Sequence, residues 1–321
     1  MQLFRSALVC VTLGITAGGV HAQYPTKPVR IIVPFSAGST TDVIARILAL
    51  PMQQGLGQTM VIDNRPGGDG ALAGDMVARA PADGYTLLVA TNSPLSAVPH
   101  LRKKPPYDAL KDFAPVSMVG YYTFLLAVNP AVPARTLDQL VAHVKANPGK
   151  MSYASSGPGS PQHLGMEFFK HALGLDIVHV PYKGASLFVS DLVSGRIDMA
   201  LASLTVAGQQ LKSGKIVPLA VTSKQRSPLY PELPSVAESL IPGYEVTAWF
   251  AVMAPAGVPR EIVTRLNGEI ERFIAKPDVK TRLLGLGLDA NFSSPEGLAE
   301  IIRSEIAKWG KVVRDAKIKV D

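Results

Sequence analysis

The sequence predicts an α/β protein built from two units of similar size, and three observations lead to this fold class. Short β-branched runs alternate with segments of helical periodicity along the whole chain, a pattern typical of parallel sheets covered by helices. The 26 prolines and 28 glycines lie dispersed between apolar runs, so they mark the turns of an alternating fold. Hydrophobic residues make up 47% of the 321 positions, enough apolar material for one large or two medium domains. Disorder and collagen-like structure are excluded, as is a disulfide scaffold, because Cys10 is the only cysteine.

The first residues have the composition of a secretory signal peptide. A basic start at Arg5 precedes an apolar stretch over 7–20 and the small-residue end Val20-His21-Ala22. The alternative is a buried N-terminal strand or helix, which the Gly18-Gly19 break and the lack of any acidic residue disfavour. We therefore predict that residues 1–22 are a cleaved signal peptide and that the mature chain is exported.

The charge pattern disfavours nucleic-acid and membrane partners. The formal net charge is +7, but the lysines and arginines are scattered, with only Arg102-Lys103-Lys104 as a short cluster. Nucleic-acid binders gather such charge with aromatic residues on one face, so solvated surface charge is the better interpretation. After residue 22, a charge or a proline interrupts each apolar run well before the roughly 20 residues that cross a bilayer. We expect a mature chain that binds no nucleic acid and does not span a membrane.

The segment up to residue 100 predicts a βαβαβ half-domain. Its first helix carries Val43, Ile44, Ile47 and Leu48 on one face. The predicted strands are 29–34, 60–63 and 86–91, and the two helices between them end near Gly55 and cover 70–80. Residues 101–115, rich in Pro, Lys and Asp, predict a surface excursion.

A second α/β unit of similar size follows. Its first helix begins with the capping-box spacing of Thr136 and Gln139 and ends at the Asn147-Pro148-Gly149 stop. The other predicted elements are strands 121–128, 151–154, 177–180, 197–202 and 217–222 and helices 162–173, 185–194 and 206–211.

The last part of the chain predicts one strand, 244–252, followed by helices only, at 259–275, 277–286 and 295–316. A helical tail without strands must pack on a sheet already built, so the chain is expected to cross to a second domain near 121–128 and to return near 244–252. The predicted organisation is domain I at 23–122 plus 246–321 and domain II at 123–245, with a ligand cleft between them.

Two loops of small residues join a strand to a helix, one in each unit. The first runs from Pro34 to Asp42 and the second from Tyr153 to Gln162. Such loops present backbone N–H groups at a helix N-terminus, where hydrogen bonds and the helix dipole stabilise an anion. A helix capped by Ser39 or Thr40 also accounts for the first loop, which lacks the Lys-Ser/Thr ending of a P-loop. Because the loops recur, we predict that they face each other across a cleft that binds a small anion.

Other motifs favour neither a cofactor nor catalysis. Residues 68–73 match a relaxed dinucleotide fingerprint, but Thr91-Asn92-Ser93 replaces the acidic residue expected about 20 positions on, which favours a structural turn. The histidines after residue 22 lack metal-ligand spacing, and no Gly-x-Ser-x-Gly elbow is present. We expect no cofactor and no metal. An exported enzyme is an alternative, with His163 beside the second loop as its one evident base.

Ordered motifs along the whole mature chain resemble one protein family. They are Tyr24-Pro25-x-Lys27-Pro28-Val29-Arg30, Val33-Pro34-Phe35 with Gly38 and Asp42, Asn64-Arg65-Pro66-Gly67, Asp83-Gly84-Tyr85-Thr86-Leu87-Leu88, Lys111-Asp112-Phe113-Ala114-Pro115-Val116, Tyr153-Ala154-Ser155, His179-Val180-Pro181-Tyr182-Lys183-Gly184 and Trp249-Phe250. The sequence is similar to the periplasmic solute receptors of tripartite tricarboxylate transporters, the Bug receptor family.

The resemblance implies a bilobal type II periplasmic-binding-protein fold that closes on a small organic carboxylate, as a Venus flytrap, and performs no catalysis. A periplasmic monomer that delivers its ligand to the transporter's membrane subunits is expected, and a sensor that signals through a membrane partner is an alternative. The residues expected to bind the ligand are Phe35, Ser36, Ala37, Gly38, Ser39, Thr40, Thr41, Thr91, Asn92, Ser155, Ser156, Gly157, Gly159, Ser160, Gln162, His163, Lys183, Gly184, Ser203 and Trp249.

Two departures from the family pattern bear on the ligand. Ser36-Ala37-Gly38-Ser39 stands where relatives usually carry Pro-Pro-Gly-Gly, which favours hydroxyl contacts. Leu201-Ala202-Ser203 stands where many relatives carry Phe-Asp-Asn, so an amine-bearing ligand would lack a carboxylate partner. We hypothesise a carboxylate with an apolar or hydroxylated tail rather than an amino acid, and we expect an aspartate at Ala202 to change that preference.

Overall fold

The computed structural model describes residues 24–67 and 70–318, so the predicted signal peptide and the start of the fingerprint motif, Gly68 and Asp69, lie outside the described residues. The strands are β1 Val29–Val33, β2 Met60–Asn64, β3 Thr86–Thr91, β4 Phe113–Thr123, β5 Leu125–Val128, β6 Ser152–Ser155, β7 Val178–Pro181, β8 Met199–Ala202, β9 Val217–Val221, β10 Thr247–Pro255 and β11 Asp289–Ala290. The helices are α1 Thr40–Leu56, α2 Ala71–Ala78, α3 Val98–Leu101, α4 Leu137–Ala146, α5 Pro161–Leu173, α6 Ala185–Ser194, α7 Leu204–Lys212, α8 Val236–Ser239, α9 Arg260–Ile274, α10 Pro277–Gly285 and α11 Pro295–Asp315, and a π-helical segment covers Ser93–Ala97.

The strands form two sheets, one in each lobe. Lobe I is the six-stranded sheet, with strand order β11-β4-β10-β3-β1-β2, together with the helices packed on it. Lobe II is the five-stranded sheet, with strand order β7-β6-β8-β5-β9, together with its helices. The α/β fold class is confirmed, and most predicted elements are present with ends shifted by up to three residues.

Both sheets are mixed, which corrects the expectation of parallel sheets. Strand β10 runs antiparallel to β3 and β4, and β5 runs antiparallel to β8 and β9. The physical reason lies in the path of the chain, because β5 and β10 are the strands through which it enters each sheet after a crossing. Each begins at the edge that faces the other lobe, where the parallel strands end, and therefore runs in the opposite direction.

The predicted strand over 121–128 is in fact two strands of different sheets. The chain leaves β4, passes through Phe124, and begins β5, so the first crossing is a single fully buried residue. The tail after β10 is also not purely helical, since β11 pairs with the end of β4. Gly120 permits this pairing, because its φ is +155° and a Cβ atom there would lie 2.4 Å from the carbonyl oxygen of Asp289.

The segment 101–115 is partly buried, which corrects the expectation of a surface excursion. Tyr107, Ala109 and Phe113 lie in an apolar cluster with Leu298 and Ile302 of α11. The Tyr107 hydroxyl donates to a carbonyl oxygen 2.7 Å away in the π-helical segment. The prolines and lysines of this segment point outward, while its aromatic residues anchor it in the core. Composition alone does not show which residues of a segment are buried.

The hydroxyl of Thr222 joins the two crossings. Thr222 is fully buried at the end of β9, and its Oγ1 accepts the Phe124 N–H at 2.9 Å and donates to the Val246 carbonyl at 2.6 Å. Backbone hydrogen bonds from Thr222 N–H to the Phe124 carbonyl and from Val246 N–H to the Thr222 carbonyl complete the junction. Both connections between the lobes therefore meet at one side chain.

Replacing Thr222 by valine, which has nearly the same shape, is expected to lower the free energy of unfolding by about 1–3 kcal/mol, because the buried Phe124 N–H loses its acceptor. Urea denaturation measures the change. Thr281→Val, at an exposed threonine of α10 with a local hydroxyl bond, is the matched control. Equal effects of the two substitutions would contradict a structural role for the junction.

Candidate functional site

The first small-residue loop connects β1 to α1 at the edge of lobe I that faces lobe II. Ser39 is the N-cap of α1, and its Oγ accepts the Asp42 N–H at 3.3 Å. The Ser39 N–H donates to the Ser36 carbonyl at 3.1 Å, which closes the turn. Of the two predicted caps, Ser39 takes this position, and Thr40 is the first helical residue.

The Asp42 carboxylate holds this loop in shape. It is 3% exposed, and it accepts hydrogen bonds from the Gly38 N–H at 2.9 Å, from Arg46 Nε at 3.0 Å and from Asn64 Nδ2 at 3.0 Å. Asn64 Nδ2 also donates to the Phe35 carbonyl at 2.9 Å, so both ends of the loop are fixed. Burial alone raises the pKa of Asp42, but the hydrogen bonds from these partners outweigh it and lower the pKa below its ordinary value.

The second loop, between β6 and α5, is held by hydrogen bonds within itself. The Gly157 N–H donates to Ser155 Oγ at 3.1 Å, and the Gly159 N–H donates to Nδ1 of His163 at 3.0 Å. Ser160 is the N-cap of α5, accepts the His163 N–H and donates its own hydroxyl to the Gly157 carbonyl at 2.7 Å. The backbone donors of both glycines therefore point into the loop.

A third helix begins beside these two loops. Gly184 is the N-cap of α6, and no side chain caps the first turn of this helix. The N-termini of α1, α5 and α6 thus meet in one region between the lobes, and each contributes the partial positive charge of a helix dipole.

A cleft with a cavity volume of about 40 Å³ lies where these three helices begin. Within the described residues, no charged side chain is part of its lining. The lining residues are Phe35, Ser39, Thr40, Thr41, Thr91, Tyr122, Ser156, Pro161, Gln162, Gly184, Ala185 and Ala248. An anion in this cleft would be held by helix dipoles, hydroxyls and an amide rather than by an arginine or a lysine.

Eight of the lining residues belong to the set predicted from the sequence: Phe35, Ser39, Thr40, Thr41, Thr91, Ser156, Gln162 and Gly184. The structure places the other predicted residues around the cleft or away from it: Ser36, Ala37, Gly38, Asn92, Ser155, Gly157, Gly159, Ser160, His163, Lys183, Ser203 and Trp249. Most residues of this second group hold the two loops in shape. A residue that is close in sequence to a lining residue can therefore either line the cleft or only support the loop.

Trp249 faces away from the cleft, because side chains of a strand alternate between the two faces of the sheet. Its indole N–H donates to Glu305 of α11 at 3.3 Å, and the ring lines a larger groove on the opposite side of β10. The neighbouring residue, Ala248, faces the cleft and is paired in register with Tyr122 of β4.

His163 and Asn92 also lie outside the lining. Nδ1 of His163 and Nδ2 of Asn92 are engaged elsewhere, whereas the buried Oδ1 of Asn92 has no hydrogen-bond partner among the described residues. The imidazole of His163 accepts the Gly159 N–H, and burial lowers its pKa to about 4. The Asn92 side chain donates to the Thr247 carbonyl at 2.9 Å and so ties the end of β3 to the start of β10. No base faces the cleft among the described residues that line it.

Three hydrogen bonds join the lobes around the cleft. Ser36 Oγ donates to the Lys183 carbonyl at 3.3 Å, and the hydroxyls of Thr40 and Ser203 are 3.2 Å apart. Ser93 Oγ donates to a carbonyl of the second loop at 3.2 Å. The first loop therefore contacts the segments that begin α6 and α7, and the second loop contacts the π-helical segment after β3.

Ala202 does not face the cleft, which corrects the expectation for an aspartate at this position. Its side chain is fully buried in the apolar core of lobe II together with Ala127 and Phe188, whereas the next residue, Ser203, reaches Thr40 of lobe I. An aspartate at Ala202 would place a charge beside these apolar side chains, so a loss of stability is expected to accompany any change in ligand preference.

Four lining residues were missed by sequence reasoning: Tyr122, Pro161, Ala185 and Ala248. Pro161 and Ala185 are the first residues of α5 and α6, and the helix-start signal could have found them. Tyr122 and Ala248 lie on strands that are buried on both faces, where no alternation of polar and apolar residues marks the inward side. Burial raises the pKa of Tyr122, whose hydroxyl is hydrogen-bonded to Thr40, so it acts as a neutral group.

Two α/β lobes with a cleft between them, lined by helix N-termini, define a bilobal solute-binding protein. Across residues 24–67 and 70–318, none of the helices has both the length and the apolar character to cross a membrane. The family profile described as "Tripartite tricarboxylate transporter family receptor" matches residues 44–318, and the chain belongs to this family.

Similar proteins extend over nearly the whole chain. Protein BugT of Bordetella pertussis is 37% identical over 310 residues, which cover 96% of this chain and 95% of BugT. The structure of R. palustris Rpa4515 with adipate has a TM-score of 0.89 and 36% identity, and the match covers 93% of this chain and 100% of that chain. The structure of MatC from Rhodopseudomonas palustris with bound malate has a TM-score of 0.84 and 31% identity, with 90% and 100% coverage.

Proposed function

We propose that this protein is a periplasmic receptor that captures a small organic carboxylate between its lobes and delivers it to a membrane transporter of the tripartite tricarboxylate type. The observation that carries the proposal is the convergence of the N-termini of α1, α5 and α6 on a cleft without charged side chains. Such a site stabilises a negative charge through oriented dipoles and hydrogen bonds. Family membership and the adipate and malate bound to two relatives support a carboxylate as the ligand.

The ligand is small and its far end carries no amine. The cavity of about 40 Å³ is far below the roughly 300–1,000 Å³ of small-molecule sites, so the lobes must part to admit even a small ligand. No carboxylate lines it among the described residues, so an ammonium group would be desolvated without a charged partner. Apolar or hydroxylated tails would contact Tyr122, Ala248 and Thr91 instead.

The mechanism is closure of one lobe on the other. We propose that residues 23–122 with 246–321 form one domain and 123–245 the other, with the hinge at the two crossings. Ligand would bridge the first and second loops and favour the closed arrangement by its preference for that state. The receptor would act as an exported monomer whose signal peptide, residues 1–22, is removed. No base in the cleft lining supports the alternative of an enzyme.

Calorimetric titration of the mature chain with matched acids tests this function. Succinate and adipate are compared with the corresponding diamides, and succinate is also compared with aspartate, which differs by one amine. We expect at least one of the two diacids to bind, its diamide to bind at least 100-fold more weakly, and aspartate to bind at least tenfold more weakly than succinate. At 100 times the dissociation constant, a ligand adds about 2.7 kcal/mol, so the melting temperature rises as well.

Equal binding of the diacid and its diamide would contradict an anion site. Failure of both diacids on a cooperatively folded sample would contradict the proposed ligand class. Turnover of a bound acid by the purified protein would favour the enzyme instead.

A further inference from the structure

A buried histidine and a half-buried one lie stacked behind the second loop. The rings of His163 on α5 and His179 on β7 are 4.4 Å apart with an angle of 23° between their planes, and Tyr153 of β6 stacks on the other face of His179 at 4.8 Å. His163 is 8% exposed. Neither ring lines the cleft, so the proposed carboxylate binding leaves both without a role.

Both rings are hydrogen-bonded to the loop. The Gly159 N–H can only donate, so Nδ1 of His163, at 3.0 Å, carries a lone pair. Ser155 Oγ lies 2.7 Å from Nε2 of His179 and accepts the Gly157 N–H, while the Gly157 carbonyl receives the Ser160 hydroxyl at 2.7 Å. The Ser155 hydroxyl also has the Gly157 carbonyl within reach at 3.1 Å, so the hydrogen bond between Ser155 and His179 can run in either direction, and only the role of His163 as an acceptor is fixed.

We propose that His163 and His179 are positioning residues that hold the second loop in its ligand-binding shape, and that they do so only while both rings are neutral. Protonation of His163 at Nδ1 would turn the acceptor of the Gly159 N–H into a donor, and protonation of His179 would place a positive charge beside the stacked His163 ring. The inference rests on the proposed function, because the loop they shape carries the lining residues Ser156 and Gln162.

The surrounding charges are consistent with two neutral rings. Glu167 and Lys170 of α5 are the charged groups that act on the pair, and they are joined at 2.7 Å, with the Tyr153 hydroxyl also donating to Glu167. Burial raises the pKa of Glu167, but the hydrogen bonds from Lys170 and Tyr153 outweigh it and keep the carboxylate charged. Glu167 favours a charged histidine, whereas Lys170 opposes it.

Acid is expected to loosen the loop. Burial lowers the pKa of His163 to about 4, and burial together with the neighbouring His163 ring lowers the pKa of His179 to about 4. A histidine whose folded pKa lies below its ordinary value of 6.5 stabilises the folded loop fully above 6.5. This contribution is lost as the pH falls from 6.5 toward 4.

Nitrogen NMR of the imidazole rings tests the premise without any ligand. At pH 7 we expect Nδ1 of His163 to be unprotonated, and both rings to titrate well below pH 6. A proton on Nδ1 of His163 at pH 7, or an ordinary titration near 6.5, would overturn the inference.

Adipate binding to variants tests the consequence. In His163→Asn an amide oxygen can replace the Nδ1 acceptor and cannot titrate, whereas His163→Leu has no acceptor. At pH 7 we expect His163→Leu to bind adipate at least tenfold more weakly than His163→Asn. His143→Leu, at a half-buried histidine of α4 outside the cleft lining, controls for the loss of a histidine.

The pH profile separates positioning from a merely structural role. Between pH 7 and pH 4, where about half of the His163 rings become protonated, the wild type is expected to lose about twofold more affinity than His163→Asn, since protonation of adipate affects both equally. Identical profiles of the two proteins, or tighter binding of the wild type in acid, would overturn the inference. If the wild type fails to bind adipate at pH 7, the proposed function has failed for this acid, and the NMR titration still decides the role of the histidines.

Discussion

Replacing Gln162 by glutamate is expected to weaken carboxylate binding by roughly 100-fold or more. Gln162 is 4% exposed and lines a cleft without charged side chains among the described residues. Glutamate has the same shape and can still accept the Ser156 hydroxyl, now 3.0 Å from Oε1, but it adds a negative charge beside the ligand. Two like charges about 5 Å apart repel by about 3 kcal/mol at an effective dielectric constant of ~20.

Calorimetric titration at pH 7 measures this loss, with Gln209→Glu as the matched control. Gln209 is an exposed residue of α7 outside the cleft lining, so the same change of net charge there is expected to alter affinity by less than twofold. If Gln162→Glu binds as tightly as the control, the anion does not occupy this cleft.

The second large effect is expected at Asp42. Asp42→Asn keeps the shape of the side chain but removes its charge and turns an amide N–H₂ toward donors from Gly38, Arg46 and Asn64. We expect a loss of about 2–3 kcal/mol in the free energy of unfolding, because hydrogen bonds to a buried charge are replaced by facing donors. Ligand affinity should fall as well, since the first loop loses the partner that holds Gly38.

Asp75→Asn provides the matched control in denaturant titrations. Asp75 also pairs with an arginine four residues later, Arg79, at 2.7 Å, but its side chain is 33% exposed and contacts neither loop. Its replacement is expected to cost less than about 0.5 kcal/mol. Comparable losses for both variants would contradict the role of Asp42 in the loop.

The pH dependence of the Asp42 effect has a definite sign. Its folded pKa is lowered below 3.8, so the stability it contributes is fully present above that value and is lost as the pH falls through the folded pKa. The difference in stability between the wild type and Asp42→Asn is therefore expected to shrink below about pH 4. A constant difference down to pH 2 would show that the charge of Asp42 is not what stabilises the loop.

The sequence predicted the two loops of the site better than the strand residues that line it, Tyr122 and Ala248. Both small-residue loops and the caps at Ser39 and Ser160 follow from local rules, because a strand that ends in small polar residues before a helix leaves few other conformations. Which strand residues line the cleft depends on which face of β4 and β10 points toward it. Both strands are buried on both faces, so the sequence around Tyr122 and Ala248 carries no alternation that reveals it.

The point at which the chain crosses from one sheet to the other could not be predicted from the sequence either. A run of apolar residues over 121–128 is uniform in composition, yet it belongs to two sheets divided at Phe124. A hydrophobic sequence indicates that a segment is buried, but it does not indicate which other segments pack against it. The hydrogen bonds of Thr222 to Phe124 and Val246 connect residues about 100 and 24 positions away, and local spacing contains no signal for such contacts.

The position of β10 sets the order in which the two lobes can form as the chain emerges. In the lobe I sheet, β10 lies between β3 and β4, although it follows both by more than 120 residues. Until the chain has emerged past residue 255, lobe I consists of two fragments with bare edges at β3 and β4, which are open to pairing with other chains. Lobe II comes from one continuous stretch and can complete its sheet first. Strand β10 also supplies Ala248 to the cleft. When it pairs with β3 and β4, it joins the two halves of lobe I and completes the binding site in the same step.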